Sequence, residues 1–469
     1  MIKLLTIIIY FFIIFTIGIV ASKKIKTSKD FILGNRKLSV LTTALGAGAA
    51  DMSAWLMMGL PGLVYLYGIN AIWLPIGLTI GAYCNWKFIA VRLRVETQKH
   101  GNALTIPGYL ANKLNDKSDA IKILFAVITS IFFVIYISSA LVALSLVISS
   151  FSNFEYFYCL LFNAIFIFIY ISIGGFMAIN WVDVMQGSLM LFVLLIVPTA
   201  IILDQGSITV AYNRIQALNI NFNNPFLNLN AVTIISTLSW GLGYFGQLHI
   251  LVRFMATKNP NTLKLSKNIC ISWMVLSLMG AFAVGLFGRL LFSLRDNINP
   301  ETIFLLSANK LFPEWLAGIV LAAVLSAIMS TISAQLHTVA SSLTEDLLPK
   351  ICNRFNKIWM TRIIMLLIIF IAGIYAYNPQ NTVLGLVSFA WAGLGSAFGP
   401  VILFSLYSKK MTKDSALYGI ITGGATVLIW HACKEFGGIF ELYEIIPGFI
   451  FASAVITIRN NKIGMKTKA

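Results

Sequence analysis

Charge is scarce in this sequence. Only 11% of its 469 residues are Asp, Glu, Lys or Arg, against 58% of hydrophobic types, whereas soluble domains carry about 25% charged residues. A soluble protein so poor in charge could not cover its surface, so lipid is the main solvent. Cysteine and histidine are sparse and scattered as well. Cys84, Cys159, Cys270, Cys352 and Cys433 form no C-x-x-C pair, and His100, His249, His337 and His431 are dispersed. A disulfide framework and a metal-dependent enzyme are therefore not expected. No zinc finger, Gly-Lys-Ser/Thr phosphate loop or RNA-recognition signature accompanies the net charge of +17, so nucleic acid is not an expected partner. Long polar stretches are missing too. The longest, about 204–229 and 92–120, could not bury a core of their own, which argues against a sensor kinase or a receptor with a catalytic tail.

What the sequence does have is a succession of apolar runs. They lie at about 4–21, 39–65, 70–91, 121–149, 156–175, 182–203, 230–252, 268–288, 315–344, 361–377, 383–407, 415–430 and 442–458. About 20 residues of helix cross the hydrocarbon of a bilayer. The expected fold is an all-α polytopic membrane protein of about 13 transmembrane helices, forming one unit over residues 1–469. The first run is too long for a signal-peptide core, and its basic cluster follows it rather than preceding it. Basic residues also assign the sides. With the N-terminus outside and the C-terminus inside, 28 of the 34 Lys and Arg fall on cytoplasmic segments, Arg253 among them in a loop at 253–267. Cytoplasmic loops carry such an excess.

Three places could hold chemistry. Asp51 is the only charged residue between Lys37 and Lys87. A carboxylate at mid-membrane costs about 2.5–3.5 kcal/mol on insertion scales, and such residues usually mark function; the alternative is an aspartate satisfied by neighbouring hydroxyls or backbone. Around it, Gly46, Gly48, Gly59, Pro61 and Gly62 allow the helix to break or to pack closely. A break would expose carbonyls, hard oxygen ligands for a cation. The second place is Ser326 to Ser333, where Ala327, Ser330 and Thr331 share one helical face. Two hydroxyls there suit Na⁺, although Ser and Thr in membrane helices commonly bond back to the backbone or to another helix. The third is Trp240 to Gln247, with glycines at 241, 243 and 246 between aromatics. It reads equally as an irregular helix holding rings beside a cavity or as an interfacial aromatic belt.

Several ordered motifs carry a resemblance. They include Phe31-Ile32-Leu33-Gly34-Asn35-Arg36, Gly46 to Trp55 with Gly59-Leu60-Pro61-Gly62, Gly174 to Ala178, and Trp181 with Asp183 and Gln186. Further along come Gly241 to Gln247, Arg253 to Ala256, Met329-Ser330-Thr331, Thr344 to Leu347 and Tyr443 to Phe449. Over nearly its whole length the chain resembles the sodium:solute symporter family, and within it the bacterial sodium/proline group. The resemblance implies two inverted five-helix repeats in a LeuT-like core, at about 39–203 and 230–407. One helix precedes them, at about 4–21, and two follow, at about 415–458. It implies a Na⁺ site with backbone carbonyls from Ala49, Met52 and Ala327 and hydroxyls from Ser330 and Thr331, with Asp51 supplying negative charge for coupling. It implies a substrate pocket at Ser53, Tyr136, Trp240, Tyr244 and Gln247. Leu248 departs from the proline that usually follows Gln247, and Asn180, Val182 and Ala54 also depart from the family pattern.

The expected function is therefore import of L-proline with Na⁺ by alternating access across a bacterial inner membrane, not enzymatic catalysis. Na⁺ is the co-transported ion, and no organic cofactor or obligate protein partner is implied. The alternatives are a sodium symporter for another amino acid, pantothenate or a sugar, and a solute sensor that binds without moving its ligand. For an embedded enzyme the spans offer no paired acid and base, nucleophile elbow or metal cluster.

Overall fold

A computed structural model describes residues 2–152, 154–218, 224–226, 229–296, 298–347, 356–377 and 383–466; Cys352 lies outside them. Helix α1 (Ile2–Ser22) leads to the short α2 (Ser28–Leu33), capped by Thr27 with Asp30 and ended by left-handed Gly34. The second apolar run becomes two helices, α3 (Val40–Asp51) and α4 (Leu60–Tyr67), joined through a π turn at Trp55–Gly59. The third becomes α5 (Trp73–Cys84), which passes through another π turn into α6 (Val91–Lys99). Then come α7 (Ile106–Lys113), α8 (Ala120–Ser152) and α9 (Tyr156–Asp204), followed by the surface helix α10 (Ile208–Leu218).

The seventh run is broken like the second. Helix α11 (Ala231–Leu238) tightens into 3-10 geometry over Ser239–Gly246, Gln247 is extended, and α12 (Leu248–Ala256) resumes. Helices α13 (Leu263–Leu291), α14 (Ile303–Leu311) and α15 (Glu314–Ser342) follow. The chain closes with α16 (Lys357–Ala376), α17 (Val383–Tyr407), α18 (Lys413–Ala432) and α19 (Ile445–Lys466).

Among the described residues, nine helical stretches are long and apolar enough to cross a membrane. The difference from thirteen apolar runs has physical sources. The halves of broken helices fall short individually, the apolar part of α19 is short, and α9 carries two runs. At 49 residues, α9 would measure about 73 Å if straight, more than twice the hydrocarbon thickness. Gly175 divides it, with φ 56° and ψ −161°. A side chain there would be strained and would meet the Phe31 ring of α2 at 2.7 Å.

Burial separates the interior from the lipid-facing shell. In the apolar window of the stretch containing α15, 89% of the residues are buried, and 78% in those of α8 and α17, against 28% in α1 and 33% in α16. These apolar helices differ little in composition, so protein contact rather than hydropathy distinguishes them. Helix α15 packs on α1, α3, α8 and α9. A parallel bridge between Leu38 and Thr257 ties the start of α3 to the end of α12 through two backbone hydrogen bonds of 3.1 Å. The Thr43 and Thr257 hydroxyls add a third contact, at 3.1 Å.

Candidate functional site

The break after α3 follows from its hydrogen bonds. In a continuous helix the Ser53 amide would point at the Ala49 carbonyl and the Leu56 amide at that of Met52. Here the Ser53 amide bonds the Asp51 carbonyl and the Leu56 amide bonds the Ser53 carbonyl, both at 3.1 Å. The carbonyls of Ala49 and Met52 are thus released from those two α-helical partners at a point buried in the protein. The Trp55 indole holds the turn by donating to the Asp51 carbonyl at 3.1 Å.

At this break Asp51 faces inward and is 3% exposed. The Tyr244 hydroxyl donates to its Oδ2 at 2.5 Å, while Oδ1 is buried without a hydrogen bond among the described residues. One oxygen of the carboxylate is therefore held and the other has no hydrogen-bond partner among the described residues. Tyr136 of α8 lies beside Asp51 and Ser53; its hydroxyl makes no well-formed hydrogen bond among the described residues.

The seventh-span break supplies the opposite wall. The Tyr244 ring meets the Trp391 ring edge-on at 5.1 Å. The Trp391 indole donates to the Trp240 carbonyl at 2.8 Å, and Gln247 Nε2 donates to the Trp391 carbonyl at 3.2 Å. Trp391 on α17 thereby fixes three of the five residues expected in the pocket. Gly243 permits this, because a Cβ there would overlap the Trp391 ring. Sequence reading missed Trp391, since an indole inside an apolar run looks the same whether it faces lipid or protein. Ser53, Tyr136, Tyr244 and Gln247 are buried with Trp391, whereas Trp240 is partly exposed.

The hydroxyl pair on α15 is placed differently. The Ser330 hydroxyl donates to Asp183 Oδ1 at 2.7 Å. Asp183 Oδ2 accepts from Arg253 at 3.0 Å, with both side chains 1% exposed. Arg253 also donates to the His249 carbonyl. Arg253 therefore does not sit in a cytoplasmic loop; it is buried on α12 as the partner of an acid. Asp183 was also legible in principle, as the only charged residue between Glu155 and Asp204. The Thr331 hydroxyl donates back to the Ala327 carbonyl at 3.3 Å. Both hydroxyls have placed their protons, so what they can offer a cation is lone pairs.

The departures from the family pattern fall around this centre. Leu248 is the first residue of α12, the position where proline fits because its amide would lack a helical partner anyway. Leu248 lines a small crevice with Leu104, Thr105 and Ser341. Asn180 donates to the Phe176 carbonyl, and its Oδ1 lies against Gly46 of α3. Val182 and Ala54 are buried.

Residues 31–423 match the sodium:solute symporter family. The chain belongs to that family. The symporter is 44% identical to the sodium/proline symporter of Salmonella typhimurium over 465 residues, covering 97% of this chain and 92% of the relative. It is 40% identical to a high-affinity proline transporter of Bacillus subtilis, covering 92% of each. In fold, it is similar to a substrate-bound, outward-open Na⁺-coupled sialic acid symporter, with a TM-score of 0.81 at 17% identity over 98% of both chains. It is also similar to a closed nucleobase–cation symport transporter, with a TM-score of 0.60 at 10% identity over 91% of this chain and 93% of the other. The symporter thus has the LeuT-like fold and is a multi-pass, Na⁺-coupled solute transporter rather than an enzyme.

Proposed function

We propose that this symporter imports L-proline with Na⁺ by alternating access across the bacterial inner membrane, N-terminus outside and C-terminus in the cytoplasm. The observation that carries the choice of solute is the likeness to proline symporters along almost the entire chain. The site has the matching chemistry. Trp240 and Tyr244 offer rings for the pyrrolidine methylenes, Ser53, Tyr136 and Gln247 offer polar groups, and helix breaks leave amide groups for a carboxylate. The two breaks, in the second and seventh spans, occupy corresponding places in two inverted five-helix repeats at about 39–203 and 230–407.

In this reading Na⁺ is held where α3 and α15 meet. The carbonyls of Ala49, Met52 and Ala327 and the lone pairs of Ser330 and Thr331 form its shell, and the free oxygen of Asp51 draws the ion in. A bound ion fixes the broken helix, so solute finds an ordered pocket and each ligand tightens the other. The inward membrane potential contributes about 2.3 kcal/mol per charge per 100 mV.

The test is uptake of radiolabelled L-proline into proteoliposomes, varying Na⁺ and pH independently. An imposed inward Na⁺ gradient is expected to drive accumulation that unlabelled proline suppresses. Absence of accumulation above protein-free vesicles sinks the reading. Suppression by another solute but not by proline moves the assignment to that solute.

A further inference from the structure

The two helices that follow the second repeat reach back to the site. Between α18 and α19 the chain makes two 3-10 turns and returns at Tyr443, which is 6% exposed. The Tyr443 ring stacks on that of Trp240, with centroids 5.3 Å apart and planes at 24°. Its hydroxyl donates to the Ser388 carbonyl of α17 at 2.7 Å, and its amide donates to the Ser236 hydroxyl of α11 at 3.0 Å. The adjoining Glu444 is buried, 2.8 Å from the Lys434 ammonium and 3.2 Å from the His431 ring nitrogen. The Trp430 indole donates to the Leu442 carbonyl at 3.0 Å. The turn is therefore anchored from both sides, and what it presents inward is one ring, laid on Trp240. An interfacial-belt tyrosine would be wet at its hydroxyl. This one is buried and bonded to backbone.

We propose that Tyr443 is a positioning residue for the solute, fixing the outer face of the Trp240 ring so that the α18–α19 turn forms part of the pocket wall. The proposal rests on the reading of Trp240 as a proline contact. Trp240 is the most exposed of the five expected pocket residues, and its carbonyl is held by Trp391 while its ring is held by Tyr443. Without Tyr443 the indole gains rotational freedom that solute binding must then remove.

The experiment measures Na⁺-driven L-proline uptake by the full-length protein in proteoliposomes, with KM and Vmax per inserted molecule. Tyr443→Ala is expected to raise KM about fivefold, the size of a lost aromatic pair, with Vmax and Na⁺ activation within about twofold of wild type. Tyr443→Phe keeps the ring but loses the bond to the Ser388 carbonyl, so its KM is expected to rise about twofold, less than in Tyr443→Ala. Trp240→Ala is expected to raise KM on its own, and adding Tyr443→Ala to it should raise KM no further, because both act through one ring. A wild-type KM in Tyr443→Ala, or effects that multiply in the double variant, overturns the proposal while leaving proline transport intact. Lack of uptake by the wild type, or a wild-type KM in Trp240→Ala, instead overturns the pocket reading and this proposal with it. Should Tyr443→Ala fail to insert, Ser236→Ala removes the acceptor of the Tyr443 amide without touching the ring. It should raise KM about twofold in the same direction, and an unchanged KM there also overturns the proposal.

Discussion

Removing either partner of the buried Arg253–Asp183 pair should destabilise the symporter more than removing both. The pair lies 3.0 Å apart with each side chain 1% exposed, and Asp183 has one further hydrogen bond, from Ser330. Arg253→Ala leaves a buried carboxylate with a single hydroxyl, and Asp183→Ala leaves a buried guanidinium bonded only to a carbonyl. Breaking a buried pair in this way costs about 3–5 kcal/mol. At about 2.1 cal/mol/K per residue of unfolding entropy, a chain of 469 residues shifts about 1 °C per kcal/mol. Each single variant should therefore lower the apparent melting midpoint by about 3–5 °C. The neutral pair Asp183→Asn with Arg253→Gln should recover at least half of that loss, since no unpaired charge remains. The assay is size-exclusion chromatography of detergent-solubilised protein after stepwise heating, with all variants heated at one rate because such unfolding is commonly irreversible. A double variant that loses the sum of the two singles would show the side chains to be energetically independent and refute the reasoning.

Three other outcomes are expected. Asp51→Asn should weaken Na⁺ activation of uptake about tenfold or more, because a buried charge near the ion is lost, while expression stays near wild type; unchanged Na⁺ dependence removes Asp51 from the coupling scheme. Trp391→Phe keeps an aromatic ring, though a smaller one, and loses the indole donor to the Trp240 carbonyl, a bond worth about 1 kcal/mol, so the KM for proline should rise about fivefold at similar protein level; an unmoved KM shows that Trp391 only fills space. The third concerns Asp116, in the turn before α8. Burial would raise its carboxyl, but hydrogen bonds from the Ile121 amide, Ser118 and Lys413 hold it down at about 2, below the usual 3.8. A depressed carboxylate stabilises the fold fully above pH 3.8, and the contribution fades as pH falls towards 2. It amounts to about 1–2 kcal/mol after allowing for the nearby aqueous phase. Lys413→Ala should lower the melting midpoint at pH 7 and narrow the gap between pH 7 and pH 3; identical gaps in both proteins refute the assignment.

What the sequence revealed depended on whether the physics was local. A lone acid among glycines announced both Asp51 and the break beside it, because insertion cost and helix weakness are properties of one segment. The glycines between Trp240 and Gln247 left the seventh span open between an irregular helix and an aromatic belt, and only the structure shows the irregular helix. The expected repeats and ligand set rest on resemblance alone, because hydropathy carries no record of which spans touch. Arg253 was misplaced for a related reason. It stands at the end of an apolar run next to basic loop residues, and its acid lies 70 residues earlier. Nothing in its own segment distinguishes a guanidinium neutralised by a distant carboxylate from one bathed in water. Trp391 stands in an apolar run and Tyr443 beside Glu441 and Glu444 at the start of another, and only packing separates them from rings that face lipid or its interface.

The Leu38–Thr257 bridge restricts how such a molecule can move. Two amide–carbonyl links and a hydroxyl contact fasten the beginning of α3 to the finish of α12, so parting those half-helices would break three hydrogen bonds of about 1 kcal/mol each. The interruptions at Met52–Ser53 and Gln247 lie at the far ends of the two stitched halves. A motion that keeps the bridge intact would swing α4 and the 3-10 stretch about these two joints, with the stitched halves as its frame.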